Sequence, residues 1–368
     1  MKKTIVITGT HLTPALAIIE ELKKSSSPKW EIYYLGRRYT MEGKKNQSPE
    51  SLLLPQKKIK FINIPAGRLQ RRFTVWTIPS LLKIPLGFIA SLYHLNKIKP
   101  DVICSFGGYV SVPVMAAGKI LSIPSLTHEQ TTVVGLANRI NGYFADLVAI
   151  TFPQSKKFFP ASKTIVTGNP LRPEIFQKDN NLYQFSQKKP QIYITGGSQG
   201  AQIINKAVWS ILPQLTKKYN LIHQCGANDY PKLIKKYQKL PKKIKDSYFL
   251  VDYIRPKSIG WALDSDLIIG RSGANTVLEI AALGKPAILI PLPKTSQNEQ
   301  FFNALYLTNH GGGVIIEQKN LSEKKLLKTI DHIFANFEKY QAKAKRLKKE
   351  IKLDASSRIV NKLQKLAQ

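Results

Sequence analysis

The chain has 368 residues, enough for two domains of ordinary size, and 43% of them are hydrophobic, as in a globular protein. Lys and Arg outnumber Asp and Glu by 56 to 23, which gives a formal net charge of +33. Such a charge favours anionic partners: nucleic acid, acidic lipid headgroups or phosphorylated substrates. The basic residues are scattered, and no basic motif interleaved with aromatic residues is found, so we expect no nucleic-acid partner.

The two cysteines of the sequence, Cys104 and Cys225, lie far apart and lack metal-ligand spacing. They are predicted to be buried free thiols in a reducing compartment, and no metal site is expected. The first apolar run is too short for a signal peptide and predicts a first β-strand.

The first half of the chain alternates short apolar runs with helical patterns, which is typical of a parallel sheet covered by helices. Strands are predicted at residues 4–8, 31–35, 60–64, 101–105, 125–128, 147–150 and 164–167. The first helix is predicted to begin at Pro14, where the missing N–H costs nothing.

Residues 73–93 form a long and nearly uncharged stretch that approaches the length of a membrane span. Pro79, Lys83 and Pro85 interrupt it, so we expect a helical layer, partly core and partly a surface facing a bilayer, rather than a transmembrane helix. The apolar residues expected on that surface are Trp76, Ile78, Leu81, Leu82, Ile84, Leu86 and Phe88, and the basic residues beside it are Arg68, Arg71, Arg72 and Lys83.

The second half of the chain again alternates short apolar runs with helical patterns. Strands are predicted at residues 191–195, 221–224, 248–251, 267–269 and 287–291, and helices at 203–212 and 323–366. The glycine-rich turn at 196–201 precedes a helix, where backbone N–H groups can approach a charged ligand. A purely structural turn has the same composition, so this loop alone does not decide between the two.

The stretch from 270 to 286 predicts a strand-turn-helix-strand unit, with Gly284 ending the helix. The N-terminus of that helix suits a phosphate. Glu279, about one turn into the helix, has a carboxylate that can accept two hydrogen bonds from a ribose diol. The alternative is a solvated glutamate of an ordinary β-α unit.

Two doubly wound halves in succession predict a cleft between them, with ligands at the carboxyl ends of the strands. The candidate loops all fall at such ends: 9–11, 106–109, 128–132, 196–200 and 271–276.

Motifs in these loops resemble those of a known family, in family order and over nearly the whole chain. They are His11-x-x-Pro14-Ala15-Leu16, Gly107-Gly-Tyr-Val-Ser111-x-Pro113, His128-Glu-Gln130 with Gly135 and Asn138, Gly168-Asn-Pro-x-Arg172, Gly196-Gly-Ser-Gln-Gly-Ala201, Arg271-Ser-Gly-Ala274 with Thr276 and Glu279, and Gln300-x-x-Asn303-Ala304. The family is MurG, the N-acetylglucosamine transferases of peptidoglycan precursor synthesis.

The resemblance implies an α/β protein of GT-B architecture, with two doubly wound Rossmann-like domains facing each other across a cleft. Residues 1–167 would bind the acceptor and the membrane, and 168–345 the UDP-sugar, with a last helix, about 345–368, packed back on the first domain. The implied reaction is inverting transfer of N-acetylglucosamine from UDP-GlcNAc to the 4-hydroxyl of a MurNAc-pentapeptide diphospho-undecaprenol, which gives lipid II. The implied partners are UDP-GlcNAc, a polyprenyl-diphosphate-linked muramyl peptide and the anionic cytoplasmic face of the cell membrane, with no cofactor.

The resemblance also implies residue roles. The donor diphosphate would be held by Gly197, Ser198 and the backbone of Ala274, Asn275 and Thr276, with Arg172 nearby, and Gln199 would also bind the donor. The ribose would be held by Glu279, the uracil by the backbone of Ile254, and the sugar hydroxyls by Gln300 and Asn303. The acceptor side would be lined by Thr10, His11, Tyr109, Glu129 and Asn138.

His11 is the leading candidate for the general base, because the unperturbed pKa of histidine lies near neutrality. Three alternatives stay open: His11 is a structural residue that hydrogen-bonds its turn, Glu129 is the base, or Glu129 orients His11. Helix N-termini and the glycine loop can stabilise the charge on leaving UDP in place of a metal.

The sequence departs from the family pattern at three places. The first loop, Thr8-Gly9-Thr10-His11, is two residues shorter than the glycine-rich loop of the family, which leaves fewer N–H groups for the acceptor diphosphate. Thr131 stands where the family often has Asn, and Gln297-Asn298-Glu299 replaces the usual residues before the Gln-x-x-Asn motif. The donor half is therefore the better match.

Other classes of function remain as alternatives. They are another UDP-sugar-dependent GT-B glycolipid glycosyltransferase, a sugar-nucleotide epimerase, and a UDP-sugar-binding protein without turnover. The order of the motifs between Gly107 and Asn138 argues against the first two.

Overall fold

The structure, a computed structural model, describes residues 2–39, 47–67, 77–178, 182–293 and 296–368. Its contacts divide the chain into two compact units. The N-terminal unit comprises Met1–Arg172 and Lys352–Gln368, and the C-terminal unit Pro173–Ile351.

The strands are β1 (Lys2–Thr8), β2 (Lys29–Gly36), β3 (Lys60–Asn63), β4 (Val102–Ser105), β5 (Ser125–Glu129), β6 (Leu147–Ile150), β7 (Thr164–Val166), β8 (Gln191–Thr195), β9 (Asn220–Gln224), β10 (Tyr248–Val251), β11 (Leu267–Gly270), β12 (Ala287–Leu289) and β13 (Gly313–Ile315). The α-helices are α1 (Leu12–Lys24), α2 (Pro49–Gln56), α3 (Thr77–Ile98), α4 (Ser111–Ile120), α5 (Leu136–Phe144), α6 (Gln202–Ser210), α7 (Leu212–Lys218), α8 (Tyr230–Gln238), α9 (Lys242–Lys245), α10 (Ile259–Leu263), α11 (Ala274–Leu283), α12 (Glu299–Thr308), α13 (Glu323–Ala335), α14 (Phe337–Lys348) and α15 (Ala355–Leu366).

The N-terminal unit is built on a parallel sheet with strand order β3-β2-β1-β4-β5-β6-β7. The order reverses direction between β1 and β4, and such a switch point is where doubly wound sheets bind ligands. Apolar side chains of β1 and β4 are fully buried, as expected for strands covered on both faces. Helix α15 completes this core, because Ile359, Val360 and Leu363 pack among Ile5 and Ile7.

The C-terminal unit has a second parallel sheet, in the order β10-β9-β8-β11-β12-β13. Its switch point lies between β8 and β11. The predicted end of helix α11 is confirmed: Gly284 takes the left-handed conformation, with φ +66°, and its N–H bonds the carbonyl oxygens of Ile280 and Ala281. Strand β13 is not among the strands predicted from the sequence.

Helix α3 carries the long apolar stretch and contains Pro85. Ile78, Leu82, Ile84, Leu86, Ile89 and Tyr93 are exposed along it. Phe88, expected on the surface, instead packs against the core of the N-terminal unit. Trp76, Arg68, Arg71, Arg72 and the side chain of Leu81 lie outside the described residues. Within the described part of the chain, no helix has the length and hydropathy to cross a membrane.

Candidate active site

In the N-terminal unit, the loops after β1 and β4 meet at the switch point. The N–H of Thr10 donates to the carbonyl oxygen of Gly107 at 2.9 Å. Thr10 and Gly107 thereby join the short first loop to the glycine loop after β4. The Thr10 N–H is already used inside the protein, so the shortened loop has still fewer backbone donors for a diphosphate.

His11 follows directly and is half-buried. Its Nδ1 lies 2.6 Å from Nε2 of Gln130, the residue that follows β5. Burial and the charge of Arg37 lower the pKa of His11 to about 4. The imidazole is therefore neutral at pH 7 and has a lone pair with which to accept a proton.

Glu129, the last residue of β5, is buried and held by three hydrogen bonds. Its Oε1 accepts from both the N–H and the hydroxyl of Thr131, each at 2.8 Å, and its Oε2 accepts from Nδ2 of Asn138 at 2.9 Å. Asn138 Nδ2 also donates to the His128 carbonyl oxygen at 3.1 Å. The Thr131 departure thus contributes a hydroxyl to the carboxylate, and the residue against His11 Nδ1 is Gln130 rather than Glu129.

Arg37 brings a positive charge to the same region, a feature that the sequence reasoning missed. Its guanidinium lies 5.7 Å from the ring centroid of Tyr109, and its Nε donates to Oε1 of the buried Glu50 at 2.9 Å. The sequence did carry a signal for Arg37. Arg37 follows Gly36 at the carboxyl end of β2, and the carboxyl ends of the strands hold the other candidate residues.

In the C-terminal unit, the glycine loop after β8 presents its backbone outward. Gly197, Ser198 and Gln199 are exposed, and Gly197 has a φ of +84° with open space where a Cβ would stand. The loop is closed by hydrogen bonds from Gly200 N–H to Gly197 O and from Ala227 N–H to Ser198 O. A loop of this geometry can donate N–H groups to an anion.

The N-terminus of α11 lies at the other side of this switch point. The helix begins at Ala274, and its N-cap residue, Gly273, has no side chain with which to cap it. Asn275 and Thr276 occupy its first turn, half-buried, and Glu279 lies one turn on with 4% of its surface exposed. This burial excludes the alternative of a solvated glutamate; the place of Glu279 in a binding site stays a prediction.

Ile254, expected to bind a uracil through its backbone, follows β10 and is fully buried. Its N–H donates to Oε1 of Gln224 at 3.0 Å. The Gln224 side chain also donates from Nε2 to Thr195 Oγ1 at 3.2 Å. Since the N–H is engaged, the carbonyl oxygen is the backbone group of Ile254 left for a base.

Gln300 and Asn303, expected to bind sugar hydroxyls, lie on α12. Gln300 Oε1 accepts from Leu292 N–H at 3.0 Å, while Asn303 Nδ2 donates to Ser272 O at 3.3 Å. Asn303 Oδ1 is buried and has no partner among the described residues. That oxygen is an acceptor which a ligand hydroxyl can satisfy.

The two arginines of the motifs lie in different units. Arg271 is tied down, with Nη1 donating to Ile290 O at 3.0 Å and Nη2 to Gln318 Oε1 at 2.7 Å. Arg172 is the last residue before the chain enters the C-terminal unit.

Asp264 and Asp266 have Asp-x-Asp spacing, but they precede β11 and so lie at the amino end of the strand. Asp266 Oδ2 accepts the N–H of Gln191, and Asp264 pairs with Lys178 and Lys285 at 2.8 and 2.9 Å. Within the described ranges, no group of His, Cys, Asp and Glu side chains is placed to hold a metal.

The structure therefore groups the predicted residues within each unit. The N-terminal unit brings together Thr10, His11, Tyr109, Glu129 and Asn138; the C-terminal unit brings together the glycine loop, the start of α11 with Glu279, and the α12 residues.

Comparisons with known proteins identify the class of protein to which this chain belongs. Residues 4–150 match the N-terminal domain of glycosyltransferase family 28, and residues 191–359 match its C-terminal domain. Two doubly wound Rossmann-like units with these matches define a glycosyltransferase of GT-B architecture, which confirms the predicted fold class.

Individual relatives and solved structures identify the family within this class. The chain is 34% identical over 353 residues to UDP-N-acetylglucosamine--N-acetylmuramyl-(pentapeptide) pyrophosphoryl-undecaprenol N-acetylglucosamine transferase 2 of Bacillus cereus, covering 94% of this chain and 95% of that protein. It is 31% identical to the corresponding transferase of Clostridium tetani, covering 92% of each. The crystal structure of Acinetobacter baumannii MurG superposes with a TM-score of 0.71 at 25% identity over 99% of both chains. The chain belongs to the MurG family of N-acetylglucosamine transferases, as the sequence motifs predicted.

The fold itself is shared more widely. The UDP-GlcNAc 2-epimerase of Neisseria meningitidis superposes with a TM-score of 0.64 at 16% identity. Identity at that level shows a common fold alone.

Proposed function

We propose that this chain transfers N-acetylglucosamine from UDP-GlcNAc to the 4-hydroxyl of a MurNAc-peptide diphospho-polyprenol, giving lipid II. The observation that carries the proposal is the position of the motifs. The motifs that resemble those of the MurG family follow the carboxyl ends of strands in both sheets, in a chain that matches its MurG relatives over more than nine-tenths of its length.

The N-terminal unit supplies the acceptor chemistry. Neutral His11 takes the proton from the acceptor hydroxyl as its oxygen attacks the anomeric carbon. The bond from that carbon to UDP breaks, and the electron pair leaves with the diphosphate. Glu129 is the rival base; both of its carboxylate oxygens already accept hydrogen bonds from Thr131 and Asn138, whereas no such bonds from the described residues hold Nε2 of His11 in this proposal.

The C-terminal unit supplies the donor chemistry. The outward glycine loop and the uncapped N-terminus of α11 offer backbone N–H groups and a positive dipole end to the diphosphate, whose charge grows as UDP leaves. Glu279 binds the ribose, and the unpaired Oδ1 of Asn303 accepts from a sugar hydroxyl.

Product analysis by mass spectrometry tests the proposal, with UDP-GlcNAc and a MurNAc-pentapeptide diphospholipid as substrates. We expect UDP and a lipid-linked disaccharide, in an acceptor-dependent reaction. UDP-GlcNAc binding without any product would indicate the alternative, a UDP-sugar-binding protein without turnover. A product with another glycolipid acceptor only would indicate a different glycosyltransferase.

We also propose that the N-terminal unit associates peripherally with the anionic cytoplasmic face of the cell membrane, where a polyprenyl-linked acceptor stays. The support is the row of exposed apolar residues on α3, together with the strongly basic chain. Basic residues near an anionic surface contribute about 1 kcal/mol each, and apolar insertion adds a part that salt does not screen.

A further inference from the structure

The contact between Gln130 and His11 joins residues 119 positions apart in the sequence. Gln130 is nearly fully buried, with 5% of its surface exposed, whereas His11 is half-buried at the edge of the site. A buried amide that meets an imidazole nitrogen at 2.6 Å fixes where the proton of that imidazole lies.

A neutral imidazole has one nitrogen that donates and one that accepts. If the amide nitrogen of Gln130 donates to Nδ1, the imidazole proton lies on Nε2, and Nε2 has no lone pair for an incoming proton. If the amide oxygen accepts from Nδ1–H, the lone pair lies on Nε2, which can then act as a base. The two ends of the amide have nearly the same shape, so either fits the same contact.

The surroundings of Gln130 favour the second arrangement. With its nitrogen toward His11, Oε1 of Gln130 is buried and has no donor among the described residues. A buried acceptor without a donor is destabilising. Turning the amide by half a rotation gives that oxygen the Nδ1–H of His11 as its donor and moves the NH₂ group to the position where Oε1 finds no donor. The short contact then decides between the two arrangements, because oxygen is the smaller atom for a distance of 2.6 Å.

We propose that Gln130 is a positioning residue for His11. Its amide oxygen accepts from Nδ1–H and holds the imidazole in the tautomer whose Nε2 lone pair receives the proton of the acceptor hydroxyl. The catalytic part of this statement rests on the proposed function; the tautomer does not.

The charged and titratable groups around His11 are compatible with a neutral imidazole. Arg37 lies on one side with its partner Glu50, and the neighbouring His128 is itself neutral at pH 7, because burial lowers its pKa to about 4. The carboxylate of Glu129 is engaged by Thr131 and Asn138. Gln130, an uncharged partner, orients the ring without adding a charge that would raise its pKa.

Nitrogen NMR of the full chain with ¹⁵N-labelled histidine tests the tautomer directly. The chain has 6 histidines, and the His11 signals are identified by their loss in His11→Gln. At pH 7 we expect a protonated Nδ1 and an unprotonated Nε2 in the wild type, and loss of that preference in Gln130→Leu. A protonated Nε2 in the wild type would overturn the proposal.

Gln130→Glu is the matched variant. It keeps the size of the side chain and an acceptor oxygen while adding a negative charge, so the Nδ1–H tautomer persists and the pKa of His11 rises by about one unit or more. An unchanged His11 titration in Gln130→Glu would contradict contact between the two side chains.

Kinetics then test the catalytic part. Gln130→Leu should lower kcat at least about tenfold with little change in KM for UDP-GlcNAc, and Gln130→Glu should restore much of kcat and move the acid limb of the pH profile upward. Wild-type kcat in a folded Gln130→Leu variant would overturn the positioning role. If the wild type transfers no sugar at all, the proposed function fails, while the NMR experiment still decides the tautomer.

Discussion

The N-terminal and C-terminal units have the same sheet architecture but present different chemistry at their switch points. In the N-terminal unit, side chains bond to one another: Gln130 to His11, and Thr131 and Asn138 to Glu129. In the C-terminal unit, the exposed loop at Gly197 and the start of α11 present backbone instead. Under the proposed function, the N-terminal unit holds a reactive side chain in place and the C-terminal unit surrounds an anion.

Replacing His11 should produce the largest effect on turnover and should distinguish the roles of the two units. His11→Ala should lower turnover about a hundredfold or more while changing the Kd for UDP-GlcNAc less than about twofold, because the base belongs to one unit and the donor site to the other. Steady-state kinetics and calorimetry measure the two effects. His310→Ala, at an exposed histidine of the C-terminal unit, is the control. A loss of turnover below threefold would make His11 structural and direct the same test to Glu129.

Membrane binding should depend on the N-terminal unit alone. Changing Ile78, Leu82, Leu86 and Ile89 together to Ser removes apolar surface worth about 2 kcal/mol, if each inserts only partly, and should reduce binding to anionic liposomes about thirtyfold in high salt. Flotation assays measure the binding.

Ile120→Ser with Leu353→Ser is the matched control for α3, because both residues are exposed apolar side chains elsewhere on the same unit. An equal loss of liposome binding in this control would show that any exposed apolar residue of the unit contributes as much as those of α3. No binding of the wild type at low salt would refute the membrane proposal.

Glu279→Ala tests the donor site. Loss of a charge-assisted hydrogen bond to a ribose should weaken UDP-GlcNAc binding by at least about 1.5 kcal/mol, roughly tenfold in Kd. Glu279→Gln keeps the volume of this buried side chain and should lose less. Calorimetric affinities equal to wild type in both variants would remove Glu279 from the site.

Two glycines of one loop provide the smallest and most local test. Gly197 and Gly200 both have positive φ, +84° and +82°, but a Cβ at Gly200 would lie 2.1 Å from the carbonyl oxygen of Cys225, whereas one at Gly197 meets open space. Gly200→Ala should therefore lower the free energy of unfolding by at least about 1 kcal/mol more than Gly197→Ala. Gly197→Ala should instead weaken UDP-GlcNAc binding. Identical stability and affinity in the two variants would contradict this division of roles.

The sequence predicted the strands and the loops between them, because buried parallel strands are continuous apolar runs with glycine-rich turns at their carboxyl ends. It did not predict β13, whose three residues include a glycine and are only half-buried. It correctly placed Ile78, Leu82, Ile84 and Leu86 of α3 on the surface, but it was wrong for Phe88, which packs against the core. Exposed and core-facing apolar residues lie next to each other along this helix, so Phe88 has no distinguishing neighbours in the sequence.

Side-chain partners were the least predictable part of the candidate site. Gln130 was within a recognised motif, yet its contact with His11 depends on two distant strands lying in one sheet. The engagement of the Ile254 N–H by Gln224 is likewise a product of the pairing of β9 and β10. Spacing along the chain carries no information on such tertiary pairs.

The packing of α15 on the N-terminal unit sets an order of folding during synthesis. Strands β1 to β7 are made before the C-terminal unit, yet Ile359 and Leu363 of α15 fill core positions beside them. The C-terminal unit occupies one continuous segment, Pro173–Ile351, and has all its residues once that segment has left the ribosome. Because domains generally fold as units, the half of the protein that is translated first is the second to complete its core. Until then the apolar side chains that α15 covers are exposed, where chaperones can bind them and where they can cause aggregation.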